Sequence, residues 1–341
     1  MQRQALYFTA PNQVEVREES IPDLGTRQLL VRTAVSGISS GTELLYYRGQ
    51  VPEELALDAG IPSLSGDSRY PFPYGYACAG EVIDAGTGVE STWLGKKVFS
   101  FQPHASHFCA EAEQLIELPE GMAFEQAIFL PNMETALNFV LDARPLVGEF
   151  VGVFGLGVVG LLTTALLLRF PLGGLVCWDR YPLRRQTARH LGLEFELDPD
   201  DTWGWQNVLK SFGGKGLQDG LDLALELSGA PPALDQAIGS LGFGGRLVIG
   251  SWYGTKPVHL DLGGKFHRSR IEMIASQVST IAPVLRGRWD KDRRFSTVLR
   301  LLAEIRPETW ITQRFPLERA SETYRQLAED PSSSLQVIFE Y

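Results

Sequence analysis

The sequence predicts an α/β chain of two domains, one β-rich and irregular, the other a doubly wound parallel sheet. Three observations carry that expectation. A length of 341 residues suits two domains. The first 120 residues or so read as short strands parted by turn signals, and from about residue 150 strand and helix signals alternate.

In the first part the strand-like runs are 5–8, 14–18, 29–35, 79–84, 97–101 and 108–118. Ala10-Pro11, Asp23-Leu24-Gly25 and Ala85-Gly86-Thr87-Gly88 punctuate them. Residues 50–75, rich in Pro, Gly and Ser, read as a long functional loop. A helical pattern over 122–142 is interrupted by Pro131. Then come strands at 150–154, 175–178, 221–225 and 246–249, alternating with helices at 158–169, 183–191 and 232–241, which is the signature of a parallel sheet with crossovers. A helix over 293–304 and a strand over 335–341 return to the character of the first domain.

Composition narrows the function. With 44% hydrophobic and 21% charged residues the chain is an ordinary globular one, neither disordered nor fibrous. Its net charge of −10 opposes nucleic-acid backbones and anionic lipid, which leaves a small molecule as the expected partner. Cys78, Cys109 and Cys177 form no CxxC pair and no even set, so neither a zinc knuckle nor a disulfide framework is expected, and a reducing cytoplasm is. The first twenty residues lack the apolar run of a secretory signal. The uncharged stretch 150–168 is long enough to cross a bilayer, but glycines at 152, 155, 157 and 160 point instead to a buried strand, a turn and a buried helix.

That stretch carries the most specific motif. Gly155, Gly157 and Gly160 follow a strand and open a helix, with Val158 and Val159 in its first turn. Such a spacing gives a tight turn, a close backbone approach to a pyrophosphate and close helix–strand packing, with the phosphate at the helix N-terminus. Asp179 ends the next strand, where a carboxylate accepts the ribose hydroxyls of NAD and repels the 2′-phosphate of NADP. NAD is therefore favoured, while Arg180, Arg184 and Arg185 leave NADP possible. Glu226-Leu227-Ser228-Gly229 and Gly250-Ser251-Trp252 end two further strands and are expected to line the same crevice, on the nicotinamide side.

Taken together, these motifs resemble the medium-chain dehydrogenase/reductase family over nearly the whole chain. The resemblance implies a GroES-like β-rich catalytic domain of residues 1–132 and 277–341 and a Rossmann NAD(P)-binding domain of residues 133–276. It also implies a cleft between the two, an NAD(P)-dependent enzyme and commonly a homodimer. Zinc-dependent members supply metal ligands from three stretches that here read Gly37-Ile38-Ser39, Gly75-Tyr76-Ala77 and Phe129-Leu130-Pro131. Serine, tyrosine and leucine do not make a zinc site, and the four-cysteine lobe of many relatives is missing, so no zinc is expected. Among zinc-free members, the segment 36–43 with 74–76 most resembles the dehydrogenase acting on the hydroxyethyl group of bacteriochlorophyllides.

Hydride reduction of a ketone leaves an alkoxide, which without a metal must be met by a placed donor. Tyr76, in a vacated ligand slot, is the expected catalyst, with Ser39 and Thr42 relaying its proton and Glu43 as terminal acceptor. The alternative is a Tyr76 that fills the hole with its hydroxyl satisfied by backbone, beside ordinary turn residues. Thr135, next to Glu134 on the interdomain helix, is a further candidate for the nicotinamide. His104 and His107 invite a metal reading that strand alternation opposes. The basic run 286–294 reads as a solvated helix face, or as a carboxylate- or phosphate-binding rim. Tyr46, Tyr47, Tyr70, Phe72 and Tyr74 either shape a pocket for a bulky ring compound or cover a core. The favoured function is a zinc-independent oxidoreductase of secondary alcohols and carbonyls. An enoyl or quinone reductase and a non-catalytic NAD(H) sensor stand as alternatives.

Overall fold

A computed structural model describes residues 1–52, 56–57, 60–211 and 220–341. The described residues form two compact units, Met1–Pro131 with Leu299–Tyr341, and Asn132–Val298. Residues 277–298, placed with the first domain on sequence grounds, cluster with the second unit.

The second unit is built on a parallel sheet ordered Phe195–Leu197, Gly174–Trp178, Phe150–Phe154, Leu221–Glu226, Leu241–Ile249 and Glu272–Ala275. The chain order reverses beside Phe150–Phe154, which puts the switch point where the glycine motif leaves that strand. The uncharged run resolves into this strand and helix Val158–Leu167, both buried because helices cover both faces of such a sheet. Among the described residues no helix is long and apolar enough to cross a membrane.

The first unit holds a sheet of Gln13–Ser20, Gln2–Ala10 and Phe72–Pro73, and a larger one centred on Gln28–Ile38. Strand Gln336–Glu340 pairs antiparallel with Gln28–Ile38, setting Val337 opposite Ile38, so the last residues complete the unit begun by the first. The run 108–118 is not one strand: it divides into His107–Glu111, a turn of 3₁₀ helix and Ile116–Glu117. Thr42 and Glu43, for which turn residues are the alternative reading, lie in helix Ser40–Tyr47. Of the loop over 50–75, residues 53–55 and 58–59 lie outside the described residues, while Leu57 and Leu64 join the core. Tyr46, Tyr47, Phe72 and Tyr74 are also core, packed with Phe8 and Tyr324, so these rings cover a core.

The basic run 286–294 is only partly a solvated face. Arg286 and Arg288 are exposed, but Arg294 is 1% exposed, with Nη2 2.6 Å from Glu134 Oε1. It also donates to Asn138 Oδ1 at 3.1 Å and to the Val278 carbonyl at 2.8 Å. Asn138 in turn donates to Asp142 and to Ser276. Burial pushes the Glu134 carboxyl up, against the pull of Arg294. A buried pair broken on one side leaves an uncompensated charge. Arg294→Met should therefore cost about 3–5 kcal/mol in urea denaturation, whereas Arg288→Met should stay within about 0.5 kcal/mol. Equal effects would show that Arg294 contributes no more than a surface arginine.

Candidate active and coenzyme sites

The glycine motif of the second unit is shaped by close approach. Gly155 has φ +103°, and a side chain there would lie 2.7 Å from the Ser228 backbone. A β-carbon on Gly160 would collide with the Gly155 carbonyl, so the helix rests directly on the turn. Helix Val158–Leu167 begins after Gly157, and its first amides are the ones a helix leaves without internal partners. Asp179 is not a solvated strand-end carboxylate. It is 6% exposed, accepts the Leu156 N–H at 2.7 Å and the Tyr181 N–H at 2.8 Å, and so ties the end of its strand to the glycine turn. Arg184 lies over the Tyr181 ring with Nη1 3.6 Å from Asp179, beside Gly157. Arg185 is held by the carbonyls of Asp179 and Arg180 and by Asp198, while Arg180 is exposed.

The loops at the other strand ends are organised by Glu226, which its position at a strand end marks in the sequence without giving it a role. Glu226, the last of its strand, is fully buried. Its Oε1 accepts Ser228 N–H at 2.8 Å, Ser228 Oγ–H at 2.5 Å and Gly229 N–H at 3.1 Å, and Oε2 accepts the Tyr253 hydroxyl at 2.6 Å. Ser251 Oγ accepts a hydrogen bond from Gly229 N–H at 2.8 Å, and Gly250 N–H donates to the Glu226 carbonyl. Ser228, Gly229, Gly250 and Ser251 thus form one group around Glu226, the first two on its carboxylate and the last two on its main-chain carbonyl. Thr135 is half-buried on helix Leu130–Ala143, next to Glu134, which is engaged with Arg294.

In the first unit two of the three ligand slots meet. The Tyr76 hydroxyl donates to Ser39 Oγ. Ser39 sits at the N-cap of helix Ser40–Tyr47, but its hydroxyl makes no cap bond. Glu43 Oε1 reaches back to accept the Ser39 N–H at 2.7 Å. Glu43 is fully buried, so it cannot exchange protons with bulk water as a terminal acceptor. Its Oε2 lies 3.0 Å from His104 Nε2 and accepts the Tyr324 hydroxyl. Thr42 is half-buried one turn into the helix, with its N–H on the Ser39 carbonyl.

Leu130, in the third slot, is fully buried and offers no donor atom. A hydroxyl, a phenol and an alkyl chain are not the nitrogen, thiolate and carboxylate ligands zinc takes, so these residues do not fit a catalytic zinc. His104 gives Nε2 to Glu43 and Nδ1 to Ser36, and His107 turns to Ser106. Among the described residues no group of three or more His, Cys, Asp or Glu is placed to hold a metal.

Residues 158–304 match the family model described as zinc-binding dehydrogenase. The chain is 23% identical to D-guloside 3-dehydrogenase of Escherichia coli K12, with 97% of this chain and 98% of that protein covered. It is 26% identical to 2-desacetyl-2-hydroxyethyl bacteriochlorophyllide A dehydrogenase of Rhodobacter capsulatus, covering 97% and 96%. An alcohol dehydrogenase of Escherichia coli CFT073, crystallised with NADH, superposes with a TM-score of 0.77 at 18% identity, over 100% of this chain and 99% of that one. Over residues 158–304 the chain is similar to zinc-binding dehydrogenases, in keeping with the medium-chain dehydrogenase/reductase resemblance of its motifs. The relatives it matches are dehydrogenases by name, and the chain is an oxidoreductase of that type.

In this dehydrogenase the fit of the second unit to a dinucleotide rests on the cradle at Gly155, which any β-carbon would fill. Gly155→Ala should weaken NADH binding by at least about tenfold and destabilise the fold by about 1–3 kcal/mol, because both a backbone clash and a left-handed φ oppose it. Fluorescence titration with NADH checks the first and urea denaturation the second, and wild-type affinity would mean the turn does not face the coenzyme.

Proposed function

We propose that this dehydrogenase interconverts a secondary alcohol and a ketone with NAD(H), without a catalytic zinc, and that Tyr76 moves the proton. The observation that carries the reading is the Tyr76–Ser39 hydrogen bond, formed between two positions where zinc-dependent relatives are expected to place metal ligands. Two of the full-length relatives are, by their names, dehydrogenases of a glycoside and of a bacteriochlorophyllide. Both are ring compounds, which supports an alcohol carried on a ring.

The bound nicotinamide supplies or takes the hydride and, when oxidised, brings a positive charge. The turn at Gly155 and Gly157 with the amides of Val158 and Val159 would hold the pyrophosphate, with Arg184 beside it. Asp179 would hold the adenosine ribose, and the Ser228, Gly229, Gly250 and Ser251 group, with Thr135, would hold the nicotinamide side. In reduction the Tyr76 phenol, protonated at neutral pH, donates to the developing oxyanion. In oxidation its deprotonation needs a neighbouring positive charge. Ser39 Oγ accepts the phenol proton's hydrogen bond between turnovers and keeps the hydroxyl oriented.

NADH consumption with acetophenone, cyclohexenone and menadione tests the reaction class. Reduction of the ketone is expected, and turnover of menadione alone would favour a quinone reductase. Binding of NADH with no turnover on any of the three would favour a sensor. With the ketone, Tyr76→Phe should lower kcat by about 10²–10⁴-fold and leave NADH affinity unchanged.

The NAD preference has its own test. Asp179→Ala should weaken NADH binding much more than NADPH binding, since it removes a ribose acceptor and the repulsion of a 2′-phosphate together. Equal losses in fluorescence titrations would overturn the assignment.

A further inference from the structure

We infer that Glu43 and His104 form a buried positioning pair that fixes Tyr76 from two sides, by its hydroxyl and by its backbone. The inference rests on the reading of Tyr76 as the proton-moving group. At the hydroxyl side, Tyr76 donates to Ser39 Oγ, and the Ser39 backbone N–H is held by Glu43 Oε1 at 2.7 Å. At the backbone side, the His104 N–H donates to the Tyr74 carbonyl at 3.1 Å. The His104 ring lies against Gly75, where a β-carbon would come 2.7 Å from Nε2 and 2.9 Å from Cγ. Gly75 has φ +117°, a conformation that suits glycine and turns the chain directly into Tyr76. Glu43 Oε2 and His104 Nε2, 3.0 Å apart, lock the two supports together.

The pair is itself over-determined. Tyr324 donates to Glu43, His104 Nδ1 lies 2.7 Å from Ser36 Oγ, and Ser36 Oγ lies 2.8 Å from the Tyr341 hydroxyl. Burial and the Glu43 charge push the Tyr324 phenol far up, so it remains a donor to that carboxylate. Glu43 and His104 are both fully buried. A well-packed apolar pair of the same volume would hold a core as well or better. What it could not do is direct the Ser39 amide and support the Gly75 backbone in one register. The polar pair is therefore explained by orientation, and Glu43 and His104 act through other groups without touching substrate.

The full chain carrying 3-fluorotyrosine at position 76 gives a direct readout, the ¹⁹F resonance of that ring followed through a pH titration. Glu43→Gln keeps the shape and removes the charge, so the midpoint of residue 76 should fall by about half a pH unit or more, and the resonance should broaden as the ring loosens. Ser39→Ala should also shift the resonance, and the double variant should move it less than the sum of the two. Cys109→Ser should leave it in place. If Glu43→Gln does not fold by circular dichroism, Tyr324→Phe strips a donor from the same carboxylate and should move the same resonance.

An unmoved resonance in whichever of these two variants folds overturns the inference. In kinetics with NADH and the panel compound reduced, Glu43→Gln should lower kcat about tenfold, the size of a misplaced proton donor, with KM little changed. On a Tyr76→Phe background it should lower kcat no further. Wild-type turnover by Tyr76→Phe would overturn the reading of Tyr76 as proton donor and leave the spectroscopic coupling standing, so the two failures are distinguishable.

Discussion

A carboxylate taken out of water must be given hydrogen-bond donors, and each unit of this chain arranges its functional loops by satisfying one. In the first unit Glu43 gathers the Ser39 amide, the Tyr324 hydroxyl and the His104 ring. In the second, Glu226 gathers the Ser228 amide and hydroxyl, the Gly229 amide and the Tyr253 hydroxyl. Both are fully buried, so every donor they collect is also a constraint on where a loop can lie. The loops so fixed are the ones that carry Tyr76's partner and the coenzyme candidates. Asp179 repeats the device on a smaller scale, joining its strand end to the glycine turn.

Close backbone approach is the complementary device. Gly155 lets the turn lie on the Ser228 backbone, and Gly75 lets the chain lie on the His104 ring. In each case a glycine without a β-carbon adjoins a buried carboxylate network: Ser228 donates to Glu226, and His104 pairs with Glu43. A polar network alone fixes directions, and packing alone fixes distances. Here the two act on the same loops, which is what a site needs if its groups are to be held within a fraction of an ångström.

The parts that were legible in the sequence are those with short-range patterns. The strand Phe150–Phe154, the glycine turn and the helix after it follow from spacing and periodicity, because each is decided by residues within ten positions of one another. The end strand Gln336–Glu340 was readable as a strand, though its partner Gln28–Ile38 was not, since pairing across 300 residues leaves no local mark. The same limit hid Tyr324 and Tyr341 as partners of residues near 40. His104 did attract notice, through its spacing to His107, but for a metal. Its true partners, Glu43 and Ser36, lie more than 60 residues away. Glu43 reads either as a terminal proton acceptor or as a turn residue, because the segment Ser40–Tyr47 begins with Ser, Gly and Thr, which favour caps and turns when considered alone, and nothing local shows that its carboxylate is buried. Arg294 shows the reverse error: in a run of five basic residues a solvated face is the natural expectation, and only the tertiary position of Glu134 makes it a core residue.

On the proposed reading, the slots that zinc-dependent relatives are expected to devote to a metal give this network its meaning. A bound metal ion orients a reacting oxygen by coordination and needs little help from the hydroxyl groups around it. A phenol offers one proton along one direction, and its usefulness falls quickly if the ring or hydroxyl drifts. On the reading proposed for Tyr76, exchanging metal ligands for a phenol shifts the demand from ligand chemistry to orientation. Orientation is what the surroundings of Tyr76 provide: a hydroxyl acceptor at Ser39, an amide anchor at Glu43 and a ring beneath the preceding glycine. A buried polar pair is a poor source of stability beside an apolar one, so its place in this core is most economically explained by the side chain it aims.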